Sequence, residues 1–164
     1  MSDDVTSDLV EGASARVRQL RPEDIELVAA REPPTRNYVR AAAAQQEAGE
    51  LVVLVAWNGA VPVGSVEVTR EPVPEARNLR VDEDMRGRGV GTMLLRAAEH
   101  LALPAGAIRV GVSDDNDGAR RLYRRLGYVP IGDVEEYEYT YVDDADQTHV
   151  VRERAEYMAK QLPG

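Results

Sequence analysis

Three glycines at alternate positions, set among arginines and running straight into an apolar helical pattern, constrain this chain more than any other stretch. Residues 77–101 read Arg-Asn-Leu-Arg-Val-Asp-Glu-Asp-Met-Arg-Gly-Arg-Gly-Val-Gly-Thr-Met-Leu-Leu-Arg-Ala-Ala-Glu-His-Leu. That is a short strand, an acidic turn, a glycine-rich arginine loop and a long amphipathic helix. Gly87, Gly89 and Gly91 open backbone conformations closed to residues with a Cβ and leave amide N–H groups uncovered. The helix starts within the loop, so its unpaired first-turn N–H groups and its positive dipole end aim the same way. Such a backbone is an anion site, and phosphate is its usual occupant. Arg86 and Arg88 add charge and can grip phosphate through two N–H groups at once. Behind the loop, Val90, Leu94, Ala97 and Leu101 fall at i, i+4, i+7 and i+11, one buried face, with Arg96 and Glu99 off it. A loop tied to such a helix is a rigid cradle and not a disordered arginine–glycine tract.

Spacing excludes two familiar phosphate loops. The nucleotide P-loop needs a lysine after its last glycine, and the only lysine here is Lys160. The dinucleotide fingerprint needs G-x-G-x-x-G, but counting from Gly87 the third glycine falls at 91 and position 92 is Thr. The stretch instead resembles the pyrophosphate loop of the GNAT superfamily of acyl-CoA N-acyltransferases, R/Q-x-x-G-x-G/A, here Arg86-Gly87-Arg88-Gly89-Val90-Gly91 followed by Thr92. The family sets this loop after a central strand with the pattern Leu-x-Val, present as Leu79-Arg80-Val81.

Other features limit the alternatives. A chain of 164 residues suits one domain with a full core. Residues 1–14 are polar and acidic and are expected to be disordered, leaving 15–164 as the single domain. There are no cysteines, and His100 and His149 lie far apart, so neither disulfides nor a metal site is expected. An acidic start and the lack of a long apolar run predict a soluble cytoplasmic protein with no membrane partner. A net charge of −9 argues against nucleic acid. The charge is unevenly spread: Arg120, Arg121, Arg124 and Arg125 cluster without an acid, whereas residues 133–146 hold acids and no base. Local arginine clusters on an acidic chain suit a polyanionic cofactor better than a long polyanion.

Along the chain, residues 15–20 alternate as a first strand, and Pro22, Glu23 and Asp24 open a helix that ends before Pro33-Pro34. A second helix is expected over residues 35–48, capped near Thr35 and stopped by Gly49. The apolar run 51–57 reads as a strand covered on both faces. Asn58-Gly59 signals a hairpin returning through 61–69. The central strand ends at Val81, and residues 107–113 form a further strand. Residues 116–126 form a helix stopped by Gly127, and 128–131 return as a strand. The last segment, 152–162, reads as helix by composition. The resemblance implies a closing strand there, and strand is the expectation taken. The result is a mixed α/β class. The resemblance, which covers about residues 15–132, makes it a mostly antiparallel, twisted mixed sheet of about six or seven strands with about four helices and splayed central strands.

A second constellation lies at Asn116, Ala119, Leu122, Tyr123, Gly127 and Tyr128. Positions 116, 120 and 123 share one helix face, and Asn116 is a plausible N-cap. This resembles the family's N-x-x-A-x-x-[LF]-Y-x-x-x-G-[FY] element. The resemblance implies that Ala119 allows close approach of the pantetheine arm and that Tyr123 can protonate the departing thiolate. It further implies a cofactor site at Leu79, Val81, Arg86–Thr92, Asn116, Ala119, Arg120 and Tyr123, with acetyl-CoA as donor. A backbone N–H around Val81 would polarise the acyl carbonyl. The base that strips the amine is sought in Glu67 and Glu75, on the strands that flank the family's cleft, or in water.

Arg80 departs from the family, which more often has an apolar or aromatic residue there. Facing the cleft it would favour an acceptor carrying a carboxylate, and facing a helix it would be structural. The expected function is acetyl transfer from acetyl-CoA to a primary amine of a small molecule or protein, in a monomer or homodimer. A catalytically silent acyl-CoA-binding module is the alternative. The acids at 133–146 lean toward a cationic amine.

Overall fold

The computed structural model describes residues 10–12 and 15–163. Most of the segment expected to be disordered lies outside the described residues, but Val10–Gly12 within it is a short strand, β1. The remaining strands are β2 (Ala15–Gln19), β3 (Leu51–Asn58), β4 (Val61–Thr69), β5 (Glu75–Val81), β6 (Ala107–Ser113), β7 (Val129–Val142) and β8 (Thr148–Gln161). The α-helices are α1 (Ile25–Arg31), α2 (Val39–Glu47), α3 (Val90–Ala102) and α4 (Asp117–Arg125). This is the mixed, mostly antiparallel class expected, with the three-residue β1 added. The expected closing strand is present as β8, because cross-strand pairing with β7 overrides its helical composition.

The described chain divides into two compact units, one running to Ile108 and resuming at Gln161, the other spanning Arg109–Lys160. In the first, the strand order is β1-β2-β3-β4-β5 with antiparallel neighbours throughout. β3 is buried on both faces, as its unbroken apolar run requires. On one face Leu51, Val53, Val55 and Trp57 meet Leu20, Val28, Ala29, Val39 and Ala42, which seats α1 and α2. The opposite face belongs to α3. A Cβ built on Gly64 would come within 3.1 Å of Leu94 and 3.3 Å of Val90, so glycine lets helix and strand approach.

Three local expectations shift. The second helix begins at Val39, not near Thr35, because Pro33 and Pro34 hold 34–36 in a 3-10 turn. Its first N–H groups are capped from a distance, Glu32 Oε1 accepting from Tyr38 and Val39 at 3.0 and 3.1 Å. On α3, Glu99 is buried at 8% exposure although the helical pattern sets it off the apolar face. In the second unit the strand order is β6-β8-β7. There residues 128–131 and the acidic run beyond them join into one strand, β7, through an irregularity between Pro130 and Val134. Gly132 takes φ +85 there.

Candidate active site

The glycine loop has the expected build. Gly87 and Gly89 adopt φ of +76 and +84, in the left-handed region, and nothing lies within 4 Å of a Cβ built on either. The backbone is therefore bare and open where side chains would otherwise stand. Gly89 is the N-cap of α3, and its carbonyl accepts from Met93 at 3.0 Å. The N–H groups of the first helical turn are left for an external anion. Gly91 is different from the other two, being an ordinary helical residue in α3. Arg86 Nε donates to the Val81 carbonyl at 3.3 Å, tying the loop to the end of β5. Arg86 and Arg88 are exposed. Bare amides, open space, two arginines and a helix dipole fit a diphosphate.

The central strand carries a bulge. Opposite β4, Glu67 pairs with Arg77 and Ser65 with Arg80, so two steps on β4 meet three on β5. Asn78 absorbs the extra residue at φ +54, a conformation asparagine tolerates better than most residues. Glu67, 6% exposed, holds it there: Oε1 accepts from Arg77 Nε at 3.1 Å and Oε2 from Asn78 Nδ2 at 2.9 Å. Both oxygens of this candidate base are thus engaged. The other candidate, Glu75, stands at the start of β5, where its N–H donates to Thr69 Oγ1 at 2.9 Å.

Just beyond β5, Asp82 is buried and fully engaged. Arg80 Nη1 donates to Oδ1 at 2.5 Å, and Arg31, the last residue of α1, donates to Oδ2 from Nε at 3.0 Å and from Nη2. Burial works against the charged carboxylate, but the hydrogen bonds from Arg80 and Arg31, with their charges, outweigh it and hold the carboxyl below its usual range. Arg31 and Asp82 were not legible as partners in sequence, since 51 positions separate them. The bulge had a faint signal, an asparagine in mid-strand.

In the second unit, Asn116 caps α4 as expected, its Oδ1 accepting from the Ala119 N–H at 3.0 Å. Arg120 leans back onto Asp114, donating to its carbonyl at 3.4 Å, and lies 3.6 Å from Asp117. Tyr123 is 5% exposed and packs against Tyr128 with ring centroids 5.8 Å apart. Burial pushes its phenol up to about 12. A shallow concavity on the β7–β8 hairpin, lined by Glu136, Tyr137, Glu138, Arg152, Glu153 and Arg154, contains none of the motif residues. No helix among the described residues is long and apolar enough to cross a membrane.

A protein built this way stands with those that hold a diphosphate-bearing acyl carrier at a helix N-terminus. The chain belongs to the acetyltransferase (GNAT) family, whose model matches residues 15–128 and whose acyl donor is acetyl-CoA. An uncharacterised N-acetyltransferase of Methanocaldococcus jannaschii is 36% identical over 63 residues, a match spanning 37% of this chain and 28% of that relative. Among solved structures, the ribosomal-protein-S18-alanine N-acetyltransferase of Escherichia coli superposes with a TM-score of 0.68 at 17% identity, over 92% of this chain and 96% of that one. Ard1 of Thermoplasma volcanium superposes at 0.66 and 23% identity, covering 93% and 100% of the two chains. A Salmonella typhimurium protein solved with acetyl-CoA superposes at 0.63 and 20% identity, covering 92% and 95%. These likenesses establish the fold.

Proposed function

We propose that this chain moves an acetyl group from acetyl-CoA to a primary amine by direct attack. The observation that carries the reading is the open, left-handed backbone at Gly87 and Gly89 feeding the N-terminus of α3. The thioester supplies an activated acyl carbon, and the chain's residues supply the rest. The loop 86–92 binds the diphosphate and so positions the donor. A backbone N–H around Val81 polarises the acyl carbonyl. Tyr123, held neutral by burial, donates a hydrogen bond toward the departing sulfur. The amine must lose a proton, to Glu75, to Glu67 or to water. At Glu67 this would disturb the contacts to Arg77 and Asn78, a cost that a water relay avoids.

That occupancy of Glu67 also favours a second reading, a silent acyl-CoA-binding module that keeps the fold without a base. Titrating the purified protein calorimetrically with acetyl-CoA, with ATP and NAD as controls and Gly89→Val alongside, tests what both readings share. Selective binding lost in the variant is expected, and no binding by a folded protein removes both. Turnover across an amine panel then separates enzyme from silent module.

A further inference from the structure

The Asp82 cluster leaves one edge of a buried guanidinium unused. Arg80 stands directly across from Ser65, so both project from the same face of the sheet. Ser65 pairs in turn with Val55, whose face is the one packed by α1 and α2. Ser65, Glu67 and Thr69 are all buried along this line of β4, a polar strip continuing the apolar face of β3. Glu67 is occupied by Arg77 and Asn78, and Asp82 by Arg80 and Arg31. Arg80 spends only Nη1 on Asp82. Its Nε and Nη2 are buried and have no hydrogen-bond partner among the described residues.

These two nitrogens form a specific pattern. Nη2 is the terminal nitrogen anti to Cδ, so the Nε–H and one Nη2–H run parallel along one edge. That edge matches the two oxygens of a carboxylate in plane. Leaving charged donors buried and unpaired is costly. The Arg31–Asp82–Arg80 cluster sets two guanidinium groups against one buried carboxylate, with the charge of Asp84 also acting on Arg31. Asp82 fixes the guanidinium from its far side, so the unpaired edge, itself buried, is held in one orientation.

We propose that the unpaired Nε/Nη2 edge of Arg80 receives the carboxylate of the acceptor, which makes the acceptor a small amino carboxylate. This rests on the acetyl-transfer reading. Arg80 immediately precedes Val81, around which that reading has the acyl carbonyl polarised. A carboxylate held at Arg80 therefore suits an amine only a few bonds away, as in an α- or β-amino acid.

The test compares each amino acid with its own carboxamide, glycine with glycinamide and β-alanine with β-alaninamide, in wild type, Arg80→Gln and Arg80→Lys. The readout is the ratio of kcat/KM within each pair, so differences in amine basicity cancel between proteins. Wild type should favour the carboxylate member. Arg80→Gln should lower that ratio about 10- to 100-fold, chiefly through KM, as expected for losing a charge-assisted pair. Arg80→Lys should recover part of it as a point charge. The proposal is overturned if wild type shows no preference, or if both members of a pair fall together in Arg80→Gln. It is equally overturned if neither amino acid binds the CoA-loaded wild type by calorimetry. The wild-type comparison needs no variant to fold. Absence of acetyl-CoA binding would instead remove the acetyl-transfer reading itself, so the two failures are distinct.

Discussion

Tyr123→Phe separates two ways in which a buried phenol can help a thiolate leave. Burial lifts the Tyr123 phenol to about 12, whereas an ordinary thiol titrates near 8.5. Handing a full proton to the sulfur is then uphill by roughly three and a half pKa units, or about 5 kcal/mol. On the proposed acetyl-transfer reading, Tyr123 would then act as a neutral hydrogen-bond donor to the developing charge, with protonation of the sulfur following its departure. A hydrogen bond to a charged group is worth about 1.5–3 kcal/mol, so the substitution should cut the single-turnover rate about 10- to 100-fold. A complete general acid would contribute about 10²- to 10⁴-fold. Acetyl-CoA affinity should stay within about twofold, because the phenyl ring keeps its packing against Tyr128. The assay is rapid-mixing single turnover from pH 7 to 10, which isolates chemistry from product release. Wild type and variant should give parallel pH profiles, since the phenol stays neutral throughout. A basic limb near pH 9 present only in wild type would refute the argument, as would an unchanged rate.

Two further substitutions test the buried carboxylates Glu67 and Asp82. Glu67→Ala should destabilise the protein by about 1–3 kcal/mol, because it leaves Arg77 and Asn78 without their buried acceptor; activity lost with no change in thermal stability would instead mark Glu67 as the base. Asp82 titrates below its unfolded value near 3.9, so the unfolded chain binds more protons between the two pKa values and stability falls as pH drops through that window. Urea unfolding between pH 5 and 3 should show a shallower loss in Asp82→Asn than in wild type, and identical slopes would discount the Arg31–Asp82–Arg80 cluster.

Much of the architecture is written in local signals. The continuous apolar run of β3 and the Asn116 cap each determine their element with few competitors and stand where they were expected. The Asn58-Gly59 signal finds the hairpin, but Asn58 closes β3 against Val61 and the turn itself falls at Gly59 and Ala60. The cradle was legible because glycine spacing dictates backbone directly. Legibility failed where distant residues decide. The start of α2 depends on Glu32 reaching forward to its first turn. The pairing of Arg31 with Asp82 depends on how α1 lies against the sheet. β8 has the composition of a helix and is a strand because β7 pairs with it along its length.

The orientation of Arg80 shows the same limit most sharply, and it turns on one residue. In an unbroken strand, positions 77 and 80 point to opposite faces, since side chains alternate. Strict alternation would send Arg80 to the α3 side, away from Arg77 and Glu67. The bulge at Asn78 adds one residue and reverses the parity, bringing both arginines to the face of Ser65 and Glu67. Asn78 thus governs where the Arg80 guanidinium goes, without touching it. Asn78→Val should be strained at φ +54 by about 1–2 kcal/mol and should also forfeit the bond to Glu67. Asn78→Gly forfeits the same bond but accepts the backbone. If the bulge sets the parity, Asn78→Gly keeps the carboxylate-over-carboxamide preference of wild type. Asn78→Val loses preference and stability together, measured by the same paired kinetics and by thermal melting. Equal behaviour of the two variants would mean that the side-chain bond, and not the left-handed backbone, holds Arg80 on its face.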